Sequence, residues 1–349
     1  MSALTREAIA AVDSTGQLAD VLSLGDHLRD ALWRVESAGL APGDSPGGIV
    51  VAGMGGSAIG GSLARAALGD RASRPIRVWR DYGLPASATP DTTVLCCSYS
   101  GETEETLASY EAAGALGTRR IVCTTGGALA AQAREDGVPV IPLPGGFQPR
   151  AAVGYGLVVA LEIAALAGAA EHVRTEIDVA AGQAQALAAE WGPDGPEDSL
   201  AKSLARSLVQ TVPQIAGAGL TEPIAYRWKT QINENAGVPA FAARLPELDH
   251  NEIVGWEGAP PLGRFAAVFL DDCDLHPRVR ERITLTLEVI GDRAAATHRI
   301  ESRGTTRTER VVSLVLLGDL VSTYMAVLAG RDPAGIEPIR QLKLALARL

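Results

Sequence analysis

Aromatic side chains account for only 4 % of the 349 residues, histidine occurs five times and cysteine four times. Cores in such a chain have to be filled by Ala, Val, Leu and Ile. Cys96, Cys97, Cys123 and Cys273 show no CxxC spacing, which argues against a zinc or dithiol redox motif. Three of them lie in apolar, strand-like runs and are expected as buried free thiols of a reducing compartment. Basic residues are outnumbered 31 to 41, for a formal charge of −10. That balance disfavours nucleic acid or an anionic membrane as partner. It leaves a phosphorylated ligand open, because a local nest of backbone N–H groups binds an anion even in an acidic protein. The start, MSALTREAIAAVDSTG, lacks the basic head and apolar run of a signal peptide. No stretch offers the ~20 uninterrupted apolar residues of a membrane span. With 47 % hydrophobic and 21 % charged residues, a soluble, globular, cytoplasmic protein is expected.

What is present is a repeated alternation. After about forty helical residues, short β-branched runs at Ile49–Ala52, Ile76–Trp79, Val94–Ser98, Ile121–Thr124 and Val138–Ile141 alternate with helical stretches at Ser57–Leu68, Thr103–Leu116 and Ala128–Asp136. This pattern predicts a parallel sheet covered on both faces. Residues 156–199 read as a connecting helical segment ending in the linker-like GPDGPEDS. A second alternation follows: strands at Val212–Ala216, Phe265–Leu270 and Thr297–Ile300, and helices at Tyr226–Asn235, Arg278–Leu287, Val311–Leu328 and Ile339–Leu349. Two similar α/β lobes are expected, residues 1–155 and 200–349.

The first strand runs into Gly53-Met54-Gly55-Gly56-Ser57-Ala58-Ile59-Gly60-Gly61. Glycines let a backbone approach an anion, and the helix that follows aims free N–H groups at it. Gly53, Gly55 and Ala58 also fit the G-x-G-x-x-A form of a dinucleotide fingerprint, and a plain packing turn would look the same. The third strand runs into Ser98-Tyr99-Ser100-Gly101-Glu102-Thr103-Glu104-Glu105-Thr106, placing three hydroxyls at a strand's C-terminal end. Hydroxyls before a helix are commonly only caps. Three of them beside a glycine turn suit a phosphate monoester better than a dinucleotide, whose ribose-binding acid has just one candidate, Asp81, rather far along the chain.

The pair GMGGS and SYSGETEET resembles the signature of sugar isomerase (SIS) domains. Three later segments, QPRAAVGY, RWKTQINENA and LPELDHNEIVGW, resemble motifs of the bifunctional phosphoglucose/phosphomannose isomerases, in that family's order. The resemblance spans nearly the whole chain. It implies two tandem SIS-type three-layer αβα lobes with mainly parallel, flavodoxin-like sheets, and no cofactor or metal. It implies phosphate binding by Gly55, Ser57, Ser98, Ser100 and Thr103.

An aldose–ketose isomerisation through a cis-enediol needs a base, a cation for the enediolate and a ring-opening acid–base. Glu234, between Asn233 and Asn235, is the candidate base; a solvated helix glutamate is the plainer account, but Asn is a poor helix former and burial beside Ala236 is expected. Arg150, after Pro149, would on its own read as a surface charge, yet it follows the sheet edge that carries both turns and could aim at the enediolate. His250 lies among Glu247, Asp249 and Glu252, too tightly spaced for usual metal ligation, and alone would be a polar loop histidine. By resemblance, Glu234 is the base, Arg150 the stabilising cation and His250 the ring-opening group, reaching across from the neighbouring subunit of a homodimer. Lys343, in an apolar helix, would by default snorkel to solvent; the resemblance assigns it to ring opening. His27, His172, His276 and His298 are expected to be structural. The segment Arg331–Pro338 contains no hydroxyl, whereas archaeal members carry a threonine there. That weighs against mannose 6-phosphate more than against glucose 6-phosphate. A non-catalytic phosphosugar sensor and, more remotely, a nucleotide-dependent oxidoreductase are the competing readings.

Overall fold

The computed structural model describes residues 4–346. In chain order the helices are α1 (Arg6–Ala10), α2 (Gln17–Leu22), α3 (Leu24–Ser37), α4 (Gly55–Leu68), α5 (Glu104–Leu116), α6 (Gly127–Glu135), α7 (Val153–Leu166), α8 (Arg174–Trp191), α9 (Leu200–Leu208), α10 (Glu222–Gln231), α11 (Glu252–Gly255), α12 (Pro277–Ile290), α13 (Arg307–Leu328) and α14 (Glu337–Leu346). The strands are β1 (Ile49–Gly53), β2 (Ile76–Trp79), β3 (Thr93–Cys97), β4 (Arg119–Thr124), β5 (Val140–Pro142), β6 (Val212–Gly217), β7 (Phe241–Arg244), β8 (Phe265–Asp271) and β9 (Ala296–Glu301). The expected end of the last helix at Leu349 lies outside the described residues.

Two compact units result. The first lobe comprises Ser23–Ala186 with Arg303–Ser313; the second comprises Met1–Leu22, Leu187–Ser302 and Leu314–Leu349. The first lobe carries a five-stranded sheet in the order β2-β1-β3-β4-β5, parallel throughout. This is the flavodoxin-like order 2-1-3-4-5. β1 and β3 are buried at every position, which is why they read as continuous apolar runs instead of alternating ones. Val50, Ala52, Val94, Cys96 and Val122 face Tyr110 and Ala113 of α5 and Leu129 and Ala133 of α6. On the opposite face α4 lies so close to β1 that a methyl group on Gly61 would come 2.9 Å from Val51.

The second lobe repeats the order with four parallel strands, β7-β6-β8-β9. Strand β7 has no counterpart in the sequence reading. Only one of its four residues is buried, so the edge strand FAAR lacks the apolar run that betrays a central strand. Ala216, Ala267 and Phe269 form a core with Leu248, Trp256 and, from α12, Ile283 and Ile290. α10 packs on β6 and β7.

α13 is long and apolar enough to span a membrane by length and composition, although Asp319, Ser322 and Thr323 interrupt its apolar run. In the structure 94 % of its most apolar window is buried inside the protein. Within α13, Asp319 accepts bonds of 3.1 and 2.6 Å from Nε and Nη2 of the buried Arg227. This is a core helix with an internal ion pair. Cys96, Cys97 and Cys123 are buried and Cys273 is exposed; burial pushes the Cys96 thiol well above its ordinary range.

Candidate active site

In the first lobe the chemistry gathers at the C-terminal ends of the strands. β1 ends at Gly53, and α4 begins two residues later behind Met54, whose side chain provides no cap. The first turn of α4 thus has no side-chain cap, while Ser57 N–H closes back onto Met54 O at 3.0 Å; a helix start without such a cap is the usual arrangement for anion binding. Gly55 has φ +48° with open space where a Cβ would stand; backbone conformation, not crowding, demands glycine there. Gly56 is demanded by crowding. A Cβ on it would lie 2.9 Å from Pro149 O and 3.1 Å from Arg150 Cα. The glycine turn and the Arg150 backbone are thus in contact within one lobe.

The second turn follows β3. Ser98 is buried and Thr103 half-buried, and their hydroxyls lie 2.9 Å apart. Ser98 Oγ also accepts from Gly101 N–H at 3.0 Å, and the exposed Ser100 accepts from Glu102 N–H at 3.2 Å. Thr103 occupies the N-cap position of α5 without making a side-chain cap, so its hydroxyl is not consumed as a cap. The carboxylate of Glu102 turns away and accepts Ala128 N–H at 2.8 Å, at the start of α6. The two turns touch: Tyr99 N–H donates to Ser57 Oγ at 3.2 Å. Between them is a small crevice of about 20 Å³ lined by Gly56, Ser57, Cys97, Tyr99 and Pro149, among others. Gly55, Ser57, Ser98, Ser100 and Thr103 accordingly lie on two adjacent turns of one sheet edge. Arg150 is buried, 3 % exposed, in the turn that precedes α7.

The other candidates belong to the second lobe. Glu234 is half-buried, more open than the burial expected of it. It stands on a π-helical turn, Ile232–Ala236, that extends α10 and ends at Gly237 in the left-handed region. Its asparagine neighbours explain that turn. Asn233 Oδ1 accepts Ala240 N–H at 2.8 Å, and the fully buried Asn235 accepts from Gln17 Nε2 and donates to Ser322 Oγ, both at 2.9 Å. These bonds anchor the backbone on either side of the glutamate, and π turns of this kind recur at functional positions.

His250 is exposed at the end of a short helical turn, Glu247–His250. Leu248 roots that turn in the core, and Asp249 ties it to α12 through Arg282 Nη1 at 3.0 Å and Thr286 Oγ1 at 2.8 Å. The acids around His250 are all engaged: Glu247 accepts from Asn251, and Glu252 accepts from Gln214 at 2.7 Å. The histidine is therefore displayed on a rigid base. Lys343 is exposed on α14, a helix with no buried residue.

The remaining histidines have evident partners. His27 packs against the rings of Phe147 and Tyr155, and burial lowers its pKa. His172 pairs with the buried Glu162, His276 caps α12, and His298 bonds Ser207.

A model of the bacterial phospho-glucose isomerase C-terminal SIS domain matches residues 197–346. The bifunctional phosphoglucose/phosphomannose isomerase of Caldicellulosiruptor bescii is 42 % identical over 304 residues, covering 86 % of this chain and 90 % of that protein. The chain belongs to the bifunctional phosphoglucose/phosphomannose isomerase family. A second member, from Aquifex aeolicus, is 33 % identical and covers 86 % of this chain and 91 % of its own. The fold agrees: a glucose-6-phosphate isomerase like protein from Thermus thermophilus superposes with a TM-score of 0.63 at 20 % identity, covering 98 % of this chain and 99 % of that one. This phosphoglucose/phosphomannose isomerase family member is thus built of two tandem SIS-type α/β lobes.

Proposed function

We propose that the chain interconverts glucose 6-phosphate, and less readily mannose 6-phosphate, with fructose 6-phosphate by proton transfer through a cis-enediol. The reading rests above all on one observation: two strand-end turns, each feeding an uncapped helix start, bring three hydroxyls and a glycine backbone to one sheet edge. Membership of a family whose curated members carry this activity in their names supports it. Gly55, Ser57, Ser98, Ser100 and Thr103 hold the phosphate. Binding energy from that remote group orients the reacting carbons.

Glu234 takes the proton from one carbon and returns it to the next. Its backbone is anchored through Asn233 and Asn235, so the carboxylate is pre-positioned. Arg150 stabilises the enediolate with a fixed positive charge. His250 and Lys343 open and close the sugar ring. The exposure of His250 on its rigid turn suits a homodimer in which each copy lends its histidine to the partner. One proton is relocated and no redox equivalent is exchanged, so the chemistry asks for no cofactor. The setting proposed is cytoplasmic sugar phosphate metabolism, in the glycolytic or gluconeogenic direction. Segment Arg331–Pro338, lacking a hydroxyl, is the basis for placing glucose 6-phosphate ahead of its C2 epimer.

The test is Glu234→Gln, assayed with each hexose 6-phosphate. A general base contributes roughly 10²–10⁴-fold, so kcat should fall by that factor while phosphosugar binding, measured by calorimetry, persists. Wild-type-like turnover in the variant would remove the base assignment. Saturable binding without turnover in the wild type would favour a phosphosugar sensor.

A further inference from the structure

Tyr99 sits between Ser98 and Ser100, and its ring extends out of the phosphate turn. Hydrogen bonds tie this one residue to segments that follow β1, β4 and β5. Its N–H donates to Ser57 Oγ on the glycine turn at 3.2 Å. Its carbonyl accepts from Thr125 N–H at 3.1 Å and from Thr125 Oγ1 at 2.8 Å, just beyond β4. Its phenol donates to Pro144 O at 3.0 Å and accepts from Phe147 N–H at 2.9 Å. Pro144 and Phe147 belong to the loop between β5 and α7, the loop that ends in Pro149 and Arg150. Phe147 is held further by its ring contacts with His27, 4.8 Å between centroids, and Tyr155, 6.0 Å.

The rest of that loop is rich in glycine and proline, Pro142-Leu143-Pro144-Gly145-Gly146-Phe147-Gln148-Pro149. Such a segment has few backbone donors and no regular ladder of its own, so specific side-chain bonds have to fix its path. The phenol supplies two of them, one to a carbonyl and one to an N–H, three residues apart.

We propose that Tyr99 is a positioning residue for the isomerisation: through its phenol it fixes the loop that carries Arg150 relative to the two phosphate-binding turns. The inference deepens the isomerase reading and rests on the role given there to Arg150. Tyr99 itself touches neither the reacting carbons nor the transferred proton. Its backbone serves the phosphate turns, and its side chain serves the arginine loop, so the two contributions can be separated by removing the hydroxyl alone.

The experiment is Tyr99→Phe, made both in the wild-type background and in Arg150→Lys. A shift of the cation by an ångström or so costs about ten- to a hundred-fold in turnover. The variant should therefore lose kcat by about that factor. KM for glucose 6-phosphate and the inhibition constant of inorganic phosphate should move by less than about three-fold, since the backbone bonds to the cradle survive. In the Arg150→Lys background the same change should cost almost nothing further, because residues acting through one another are non-additive. Full additivity in the double variant, or a loss of phosphate inhibition that parallels the loss of kcat, would overturn the proposal by placing Tyr99 in general support of the lobe. Unchanged kcat in Tyr99→Phe with an active wild type would refute this inference alone. A wild type that turns over no hexose 6-phosphate would instead refute the isomerase reading on which it stands.

Discussion

The two lobes share a strand order and differ at the turns. β6, β7, β8 and β9 occupy the places that β1, β2, β3 and β4 hold in the first lobe. The pairing Ala52↔Cys96 in one sheet corresponds to Ala216↔Phe269 in the other. Counting on from there, Gly53 answers to Gly217, and the buried Ser98 answers to the buried Asp271. In the first lobe the turn after the leading strand opens onto an uncapped helix. In the second it is closed from within: Thr221 Oγ1 accepts from Ala218 N–H at 2.9 Å and donates to Leu270 O at 2.9 Å. α10 then opens with Glu222 and Pro223, an acid and a residue with no N–H to offer. Asp271 takes Arg280 and Arg299 as partners, leaving an ion-pair cluster where the first lobe keeps hydroxyls. One topology therefore supports a hydroxyl-lined turn or an ion-pair cluster, depending on a handful of turn residues.

Ser98→Asp would carry the acid of the second lobe into the first, and it is the harshest way to break this contrast. A carboxylate beside a phosphate dianion costs about 4 kcal/mol per pair of unit charges at 4 Å in a protein-like dielectric. A fall of roughly 10³-fold or more in kcat/KM is expected, with the thermal unfolding midpoint measured in parallel to confirm that the variant folds. Activity within about ten-fold of wild type would show that the cradle tolerates charge.

Asp271→Asn tests the other corner. Asp271 is fully buried, while Arg280 and Arg299 keep about a third of their side chains in water. The cost should sit near the low end for a broken buried pair, about 3 kcal/mol in urea unfolding. Burial works to raise the Asp271 pKa, but the bonds and charges of Arg280 and Arg299 outweigh it and hold the group below its ordinary 3.8. The folded pKa being depressed, the stabilisation is present above about pH 4 and fades as pH falls through the lower folded value. The difference between wild type and variant should thus be flat from neutrality to mild acid and shrink only in stronger acid. Phosphosugar affinity should not change.

Thr103→Val is the gentlest probe. A hydroxyl bonded to a charged group is worth about 1.5–3 kcal/mol. KM should rise about ten-fold or somewhat more with kcat nearly unchanged, and an equal fall in kcat would mean that the hydroxyl acts on more than binding.

The first lobe could be read closely from its residues because β1 and β3 are fully buried and the helices between them are long. The glycine-rich and serine-rich turns lie immediately after such strands, so turn composition and periodicity pointed to the same places. β7 escaped because its four residues are mostly open. The π turn at Glu234 escaped for another reason. The bonds that hold it come from Gln17, Ala240 and Ser322, two of them distant in sequence, and local spacing contains no trace of them. Tyr99 passed as one letter of a serine-rich turn, since the loop it grips begins more than forty residues later. Cys273, unlike the three strand cysteines, follows a strand end and is exposed.

The widened turn beneath Glu234 has a consequence for how this segment can change. A π turn holds one residue more than an α-helical turn would in the same rise. Deleting any single residue between Ile232 and Ala236 would let the helix close into regular geometry. The turn would tighten to about 3.6 residues, and the side chains within it would be re-aimed around the axis while those beyond it kept their register. The carboxylate would aim elsewhere and Asn235 would abandon both partners at once. The length of this stretch is thus constrained along with its glutamate and the two asparagines that anchor it.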